Sequence, residues 1–243
     1  MSNQPFGAPP VRSEGYGAGS ISVENARFMS RVYGWMTAGL CLTGVVAWEV
    51  AGNPGLVRAI FGNPIFFWGL FIAQLGAVIV LSAAINRLSG AAATAIYFVY
   101  AALTGLTFSA IFLAYTGSSI AQVFGITAFS FAGLSVFGLV TKRDLGPVGS
   151  FCMMGLFGLI GFYVLSMFFR SLMSEGAVFV TSILGIIIFA GLTAWDTQRI
   201  KNMNVASMDG EQQRKGAIMG ALMLYLDFIN LFLSLLRLTG RRR

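Results

Sequence analysis

Between Ala217 and Leu238 the chain reads AIMGALMLYLDFINLFLSLLRL, an apolar run with one carboxylate, Asp227, in its middle. About 20 apolar residues suffice to cross the hydrocarbon core as a helix. An aspartate at the centre of such a helix costs roughly 2.5–3.5 kcal/mol on insertion scales, so it turns away from lipid. It then either pairs internally to hold a bundle together or serves a function. At helical spacing Asp227, Asn230, Ser234 and Arg237 share one face, while Leu, Phe and Ile occupy the other. A helix with one polar stripe belongs in a bundle, with the stripe facing other helices.

The rest of the chain has the same character. It is 56% hydrophobic and 10% charged, against roughly 25% charged in a soluble domain, which makes it a polytopic membrane protein. Cys41 and Cys152 both lie inside apolar runs and read as small packing residues rather than a disulfide. The net charge of +7 is spread singly or in short clusters between apolar runs. That is the pattern of a topology signal, not of a nucleic-acid surface. The chain contains no histidine, which removes Ser-His and Cys-His catalysis, histidine metal ligands and a histidine pH switch.

Residues 1–27 read as a flexible tail, rich in Pro, Gly and Ser in its first 20 residues, with no signal-peptide pattern before the first span; residues 28–243 read as one transmembrane domain. Seven apolar runs follow, at about Val32–Ala51, Ile65–Ile85, Ala91–Tyr115, Ile120–Val140, Val148–Phe169, Ala177–Trp195 and Ala217–Leu238. The first closes at the Gly52-Asn53-Pro54-Gly55 turn. The small cluster Thr104–Ser109 and the glycines Gly155, Gly158 and Gly161 suit close helix contact. The expected fold is an all-α integral membrane bundle of seven transmembrane helices, with short loops joining antiparallel neighbours.

Lysine and arginine set the orientation. The tail and the connections after the second, fourth and sixth runs carry ten, and the opposite side carries six. The N-terminus is therefore expected in the cytoplasm. Arg241, Arg242 and Arg243 object, because an odd number of spans puts them outside.

Asp196 sits at the cytoplasmic end of the sixth run, and Arg87 just beyond the same end of the second. Two carboxylates brought together in low dielectric cannot both ionise easily and titrate as a coupled unit. An arginine within reach ties the helices together until protons arrive, giving a pH-dependent latch. The plainer readings are a solvated helix end for Asp196 and a snorkelling anchor for Arg87. Counted from the span ends, Asp227 lies about 10 Å deeper than Asp196. Tilt, or an earlier start to the last helix, has to close that gap.

Gly191–Lys201, GLTAWDTQRIK, and Leu224–Arg237, LYLDFINLFLSLLR, resemble the last two helices of the Bax inhibitor family, in a bacterial-type member. Arg31–Met36 and Thr104–Thr107 add to the resemblance, which covers the chain from about Arg27 onward. It implies seven helices around a central last helix and a pH-regulated calcium leak in a bacterial inner membrane. It also implies that Asp196 and Asp227 are the pH sensor and that Arg87 joins a closed-state latch, although bacterial relatives can carry a longer basic run there. Asn230 and Ser234 are then candidates for a polar pore wall. Ca²⁺ wants six to eight oxygens, which Asp196 and Asp227, with Asn230, carbonyls and water, would supply only in passing. No cofactor and no enzymatic activity are expected, and the partners are the lipid bilayer, Ca²⁺ and other membrane proteins.

Two rival classes remain. A non-conducting protein that binds other membrane proteins fits the same composition. An intramembrane aspartyl protease also places aspartates on consecutive helices. Here, however, Asp196 follows Trp and Asp227 follows Leu, rather than the Tyr-Asp and Gly-x-Gly-Asp contexts of that class. A retinal protein would need a lysine in the last span, whereas Lys142, Lys201 and Lys215 all lie in connections.

Overall fold

A computed structural model of the chain describes residues 16–203 and 205–243, with side chains from 23 onward except at 206. The helices are α1 Tyr16–Ala51, α2 Pro54–Phe61, α3 Pro64–Ala84, α4 Gly90–Ala114, α5 Gly117–Val140, α6 Gly146–Phe168, α7 Glu175–Lys201 and α8 Gly210–Thr239. All but α2 are long and apolar enough to cross a membrane, which gives seven candidate spans. Their outward faces carry large bare side chains, among them Ile65, Phe129 and Phe168. On a soluble protein such faces would be a liability; here they are the lipid contact.

The helices begin where the sequence supplies caps. Asn53 and Asn63 each precede a proline at the first helical position. The Asn53 side chain accepts from the backbone N–H groups of Gly55 and Leu56, at 3.0 and 3.2 Å. Asn63 does the same for Ile65 and Phe66, so each satisfies N–H donors that the first turn leaves free. The reading of residues 52–55 as a simple turn missed α2, which this repeated Asn-Pro signal announces. Asp209 and Gln212 form a reciprocal capping box that starts α8 seven residues before the apolar run.

Residues 16–27, read from composition as tail, form the first turns of α1; the tail assignment for residues 1–15 lies outside the described residues. Gln213 of α8 joins these turns to the bundle: its amide donates to Glu24 at 2.8 Å and accepts from Arg31 at 3.5 Å.

The helices alternate in direction. One end of the bundle gathers the α3–α4 turn, the α5–α6 loop and the α7–α8 connection, and the other gathers α2, the α4–α5 and α6–α7 loops and the residues after α8. α8 packs against α1, α4, α5 and α7 and is the most buried span, with 67% of its most apolar stretch enclosed against 11% for α3 and for α6. Its buried face, from Ala217 through Leu222, Tyr225 and Phe228 to Leu236, joins Phe28, Val32, Tyr97 and Ile200 in the main core.

Close approach depends on small residues at two places. A Cβ on Gly105 would sit 2.8 Å from the backbone oxygen of Thr43 and 2.7 Å from Val46, so α4 meets α1 backbone to backbone, as the Thr104–Ser109 cluster anticipates. The glycine series on α6 behaves differently: Gly155 meets Ile188, but Gly158 and Gly161 have nothing within 4 Å. Steps of three residues rotate about 60° off a helical face each time, so the series turns away from α7.

Beside the Gly105 contact, the Thr43 hydroxyl lies 2.7 Å from the Tyr225 hydroxyl and donates to the Ala101 carbonyl at 2.8 Å. Thr43→Val keeps the shape and removes both bonds. It should destabilise the protein by about 1 kcal/mol, within the range of interhelical hydrogen bonds in membranes, seen as a lower midpoint of thermal unfolding in detergent.

Candidate functional site

The last two turns of α7 are polar and clamped from several sides. Gln198 accepts from the backbone N–H of Leu145 at 2.9 Å and donates to the Arg143 carbonyl at 2.8 Å, fastening the α5–α6 loop. Thr197 donates to Ser135 of α5 at 3.3 Å, and the Lys201 ammonium caps the Leu139 carbonyl. The Trp195 ring fills the space where Gly149 of α6 lacks a side chain, and the Arg199 guanidinium lies 5.5 Å from that ring. Asp196 is thus presented by a helix end with little freedom to shift.

Asp196 is 9% exposed and Asp227 4%. Their carboxyl groups lie within hydrogen-bonding reach of each other across the α7–α8 interface. The cation acting on Asp196 is Arg199, and the buried Cys152 thiol of α6 is close enough to feel the charge of Asp227. Oδ2 of Asp227 is buried without a donor. Two acceptor-only carboxylates cannot bond to each other, so a proton between them is what makes this contact favourable.

The depth difference expected between the aspartates is closed by register. Gly220 packs against Ile200, where an added Cβ would come within 3.3 Å. Asp196 lies four residues before Ile200 and Asp227 seven after Gly220. The remaining offset is about three residues, or ~4.5 Å, which side chains bridge. The early start of α8 at Gly210 makes this possible.

On the far side of the pair the polar stripe opens into a small cavity of ≈ 100 Å³ lined by Asn230, Ser234, Arg237, Thr181, Tyr163 and apolar neighbours. Asn230 donates to the Leu226 carbonyl at 2.8 Å, and Ser234 to the Asn230 carbonyl at 2.8 Å. Arg237 closes the outer mouth, donating to the Tyr163 hydroxyl at 2.6 Å. At the opposite end a larger cavity of ≈ 580 Å³ lies between Ile85 and Asn86 of the α3–α4 turn, Met203 and Met208 of the α7–α8 connection, and Gln212, Lys215 and Met219 of α8. Between the two cavities Ala221, Leu222, Leu224 and Tyr225 are completely or almost completely buried, so the cavities do not meet.

Arg87 is exposed on the α3–α4 turn. Among the described residues its side chain has no hydrogen bond or ion pair, and it does not adjoin either aspartate. Sequence spacing gives no weight to Gln198, Thr197 and Tyr163, whose roles depend on partners 53 to 74 residues away. The described residues contain no group of three acidic, cysteine or histidine side chains able to hold a metal.

These features define a seven-helix integral membrane protein with a buried carboxyl pair between its last two helices. Residues 25–243 match the family described as inhibitor of apoptosis-promoting Bax1. The chain belongs to this Bax inhibitor family. It is 47% identical over 218 residues to the inner membrane protein YbhL of Escherichia coli K12, covering 89% of this chain and 92% of that one. It is 44% identical over 224 residues to an uncharacterized protein of Borreliella burgdorferi, covering 92% and 95%. It is 43% identical over 216 residues to another from Deinococcus radiodurans, covering 88% and 90%. None of these three names carries an enzymatic activity.

Proposed function

We propose that this chain is a pH-sensitive calcium leak channel, seen in a closed conformation, with its N-terminus on the cytoplasmic side of a bacterial inner membrane. The observation that carries the reading is the placement of two mutually contacting buried carboxyl groups between two cavities that α8 keeps apart. Such a pair gains and loses protons as a unit. As protons arrive, its negative charge falls, and with it the strength of the charge-assisted hydrogen bond by which the two carboxyl groups join α7 to α8. The seam then loosens, so flux rises as pH falls. Ca²⁺ is the cargo: two carboxylates and the Asn230 amide oxygen are too few to retain it, as passage requires.

Arg87 is the proposed latch in a further closed arrangement. α3 is among the least enclosed spans, and the ≈ 580 Å³ cavity beside its terminal turn leaves room for that turn to move toward α8. The excess of Lys and Arg at this end, ten against six, supports a cytoplasmic placement, and the kinship with an inner membrane protein supports the compartment.

Purified protein in liposomes tests the reading. Ca²⁺ entry should exceed that of empty liposomes and increase as pH is lowered through the range from about 8 to 6. Absence of flux at every pH would favour the non-conducting alternative, and cleavage of a membrane-spanning peptide abolished by Asp227→Asn would favour the protease.

A further inference from the structure

The three arginines that oppose the charge rule have a structural peculiarity: the backbone holds them in place while their side chains stay unpaired. After α8 ends, the chain folds onto the α4–α5 loop. The backbone N–H of Arg241 donates to the Ser119 hydroxyl at 3.0 Å. Thr116 N–H donates to the Arg241 carbonyl at 3.2 Å, and Arg243 N–H to the Ala114 carbonyl at 3.0 Å. Arg242 faces Tyr115 in an antiparallel bridge. Gly240 lies flat against the Tyr115 ring, where a Cβ would come within 2.8 Å.

All three arginines are exposed, and none of their guanidinium groups has a hydrogen bond or ion pair among the described residues. The acidic side chains at this end, Glu49 and Glu175, lie at the end of α1 and the start of α7 and pair with none of them. Beneath Arg241 is a cavity of ≈ 360 Å³ whose lining includes Ser118, Ser119, Gln122 and Thr239. The Thr239 hydroxyl is committed to the Leu235 carbonyl, and the Ser118 hydroxyl and Gln122 amide remain as donors next to this cluster of positive charge. The place is the end of two membrane spans, at the level of lipid headgroups, with apolar Val123 and Ile126 of α5 leading inward from it.

We infer that this strapped arginine segment is a binding site for the phosphate of an anionic phospholipid headgroup, with Arg241 to Arg243 as cations and Ser118 and Gln122 as hydrogen-bond donors. A lipid phosphate suits the site better than a protein carboxylate, because it arrives at this depth with an acyl chain that can lie along α5. Planar guanidinium groups also match phosphate oxygens two at a time. The positive-inside rule concerns segments that must be kept from crossing. Charge consumed by a bound lipid phosphate on the far side answers a different need.

Native mass spectrometry of the full chain in detergent, with phosphatidylglycerol or phosphatidylcholine added, tests this. The wild type should retain phosphatidylglycerol in preference. At about five-fold for each basic residue near a headgroup, the triple variant Arg241→Gln, Arg242→Gln, Arg243→Gln should retain it on the order of a hundred-fold less. The corresponding triple lysine variant, which preserves charge, should keep most of the binding, and circular dichroism should show both variants folded. Ser118→Ala with Gln122→Ala offers a milder loss should the glutamine variant not fold. Equal retention in wild type and all these variants would overturn the proposal. So would an equal loss in Arg58→Gln with Arg170→Gln, which lies at the same end and would indicate diffuse charge. Inorganic phosphate displacing the lipid at matched concentration would also overturn it, by assigning the site to a free anion.

Discussion

Asp196→Asn and Asp227→Asn should each remove most of the pH response of Ca²⁺ flux, on the order of a ten-fold change corresponding to about 1.4 kcal/mol, and the double variant should lose no more. Asparagine keeps the size of the carboxyl and cannot be charged, so each variant is fixed near the protonated form, with neutral-pH flux close to the acidic flux of the wild type. The non-additivity follows from the shared contact: once one member cannot titrate, the pair no longer responds as a unit. The groups around the pair sharpen the test. Arg199 acts on Asp196 and Cys152 sits near Asp227, whereas the Lys201 ammonium is occupied by the Leu139 carbonyl. Cys152→Ser should therefore leave the response in place, and Arg199→Gln, on the same helix as Asp196, should shift the response along the pH axis without abolishing it. Additive effects of the two aspartates would mean independent sites.

The largest loss of stability should come from Gly138. Its Cα faces the Ala194 carbonyl of α7 so closely that an added Cβ would overlap that oxygen, with the Thr197 side chain 3.1 Å away. The obstacle is backbone, held by the Thr197 and Gln198 clamps, and cannot rotate aside. Gly138→Ala should cost about 2 kcal/mol, within the range for overpacking, lowering the unfolding midpoint by roughly 4–8 °C for a chain of this size. Gly158→Ala, with nothing within 4 Å, is the matched control and should change little. Equal midpoints for the two variants would show that α5 and α7 are not in backbone contact, and the rigid presentation of Asp196 would lose its basis.

Much of the fold is legible because each apolar run is punctuated by Gly, Pro, Asn or Ser, and because a polyapolar helix in lipid has little alternative. The helix ends are less so. α7 continues to Lys201 and α8 begins at Gly210, both through polar stretches where hydropathy falls while helical hydrogen bonding continues. That same extension sets the α7–α8 register, which is why counting from apolar boundaries overstates the offset between Asp196 and Asp227. The costly carboxylate in the last span and the polar stripe through Asn230 and Ser234 are readable from spacing alone. The clamps by Gln198 and Thr197 are not, since their partners are set by packing between distant segments. For Arg87, position along the chain suggests proximity, but the α3–α4 turn leaves its side chain in the open.

Ca²⁺ flux measured against pH for wild type and Asp227→Asn, reconstituted side by side in the same liposomes, shows whether protonation of the Asp196–Asp227 pair opens a path for Ca²⁺. Wild-type flux should climb as pH falls from about 8 to about 6, and the variant flux should be high and nearly flat. A variant that keeps the wild-type pH response would contradict it.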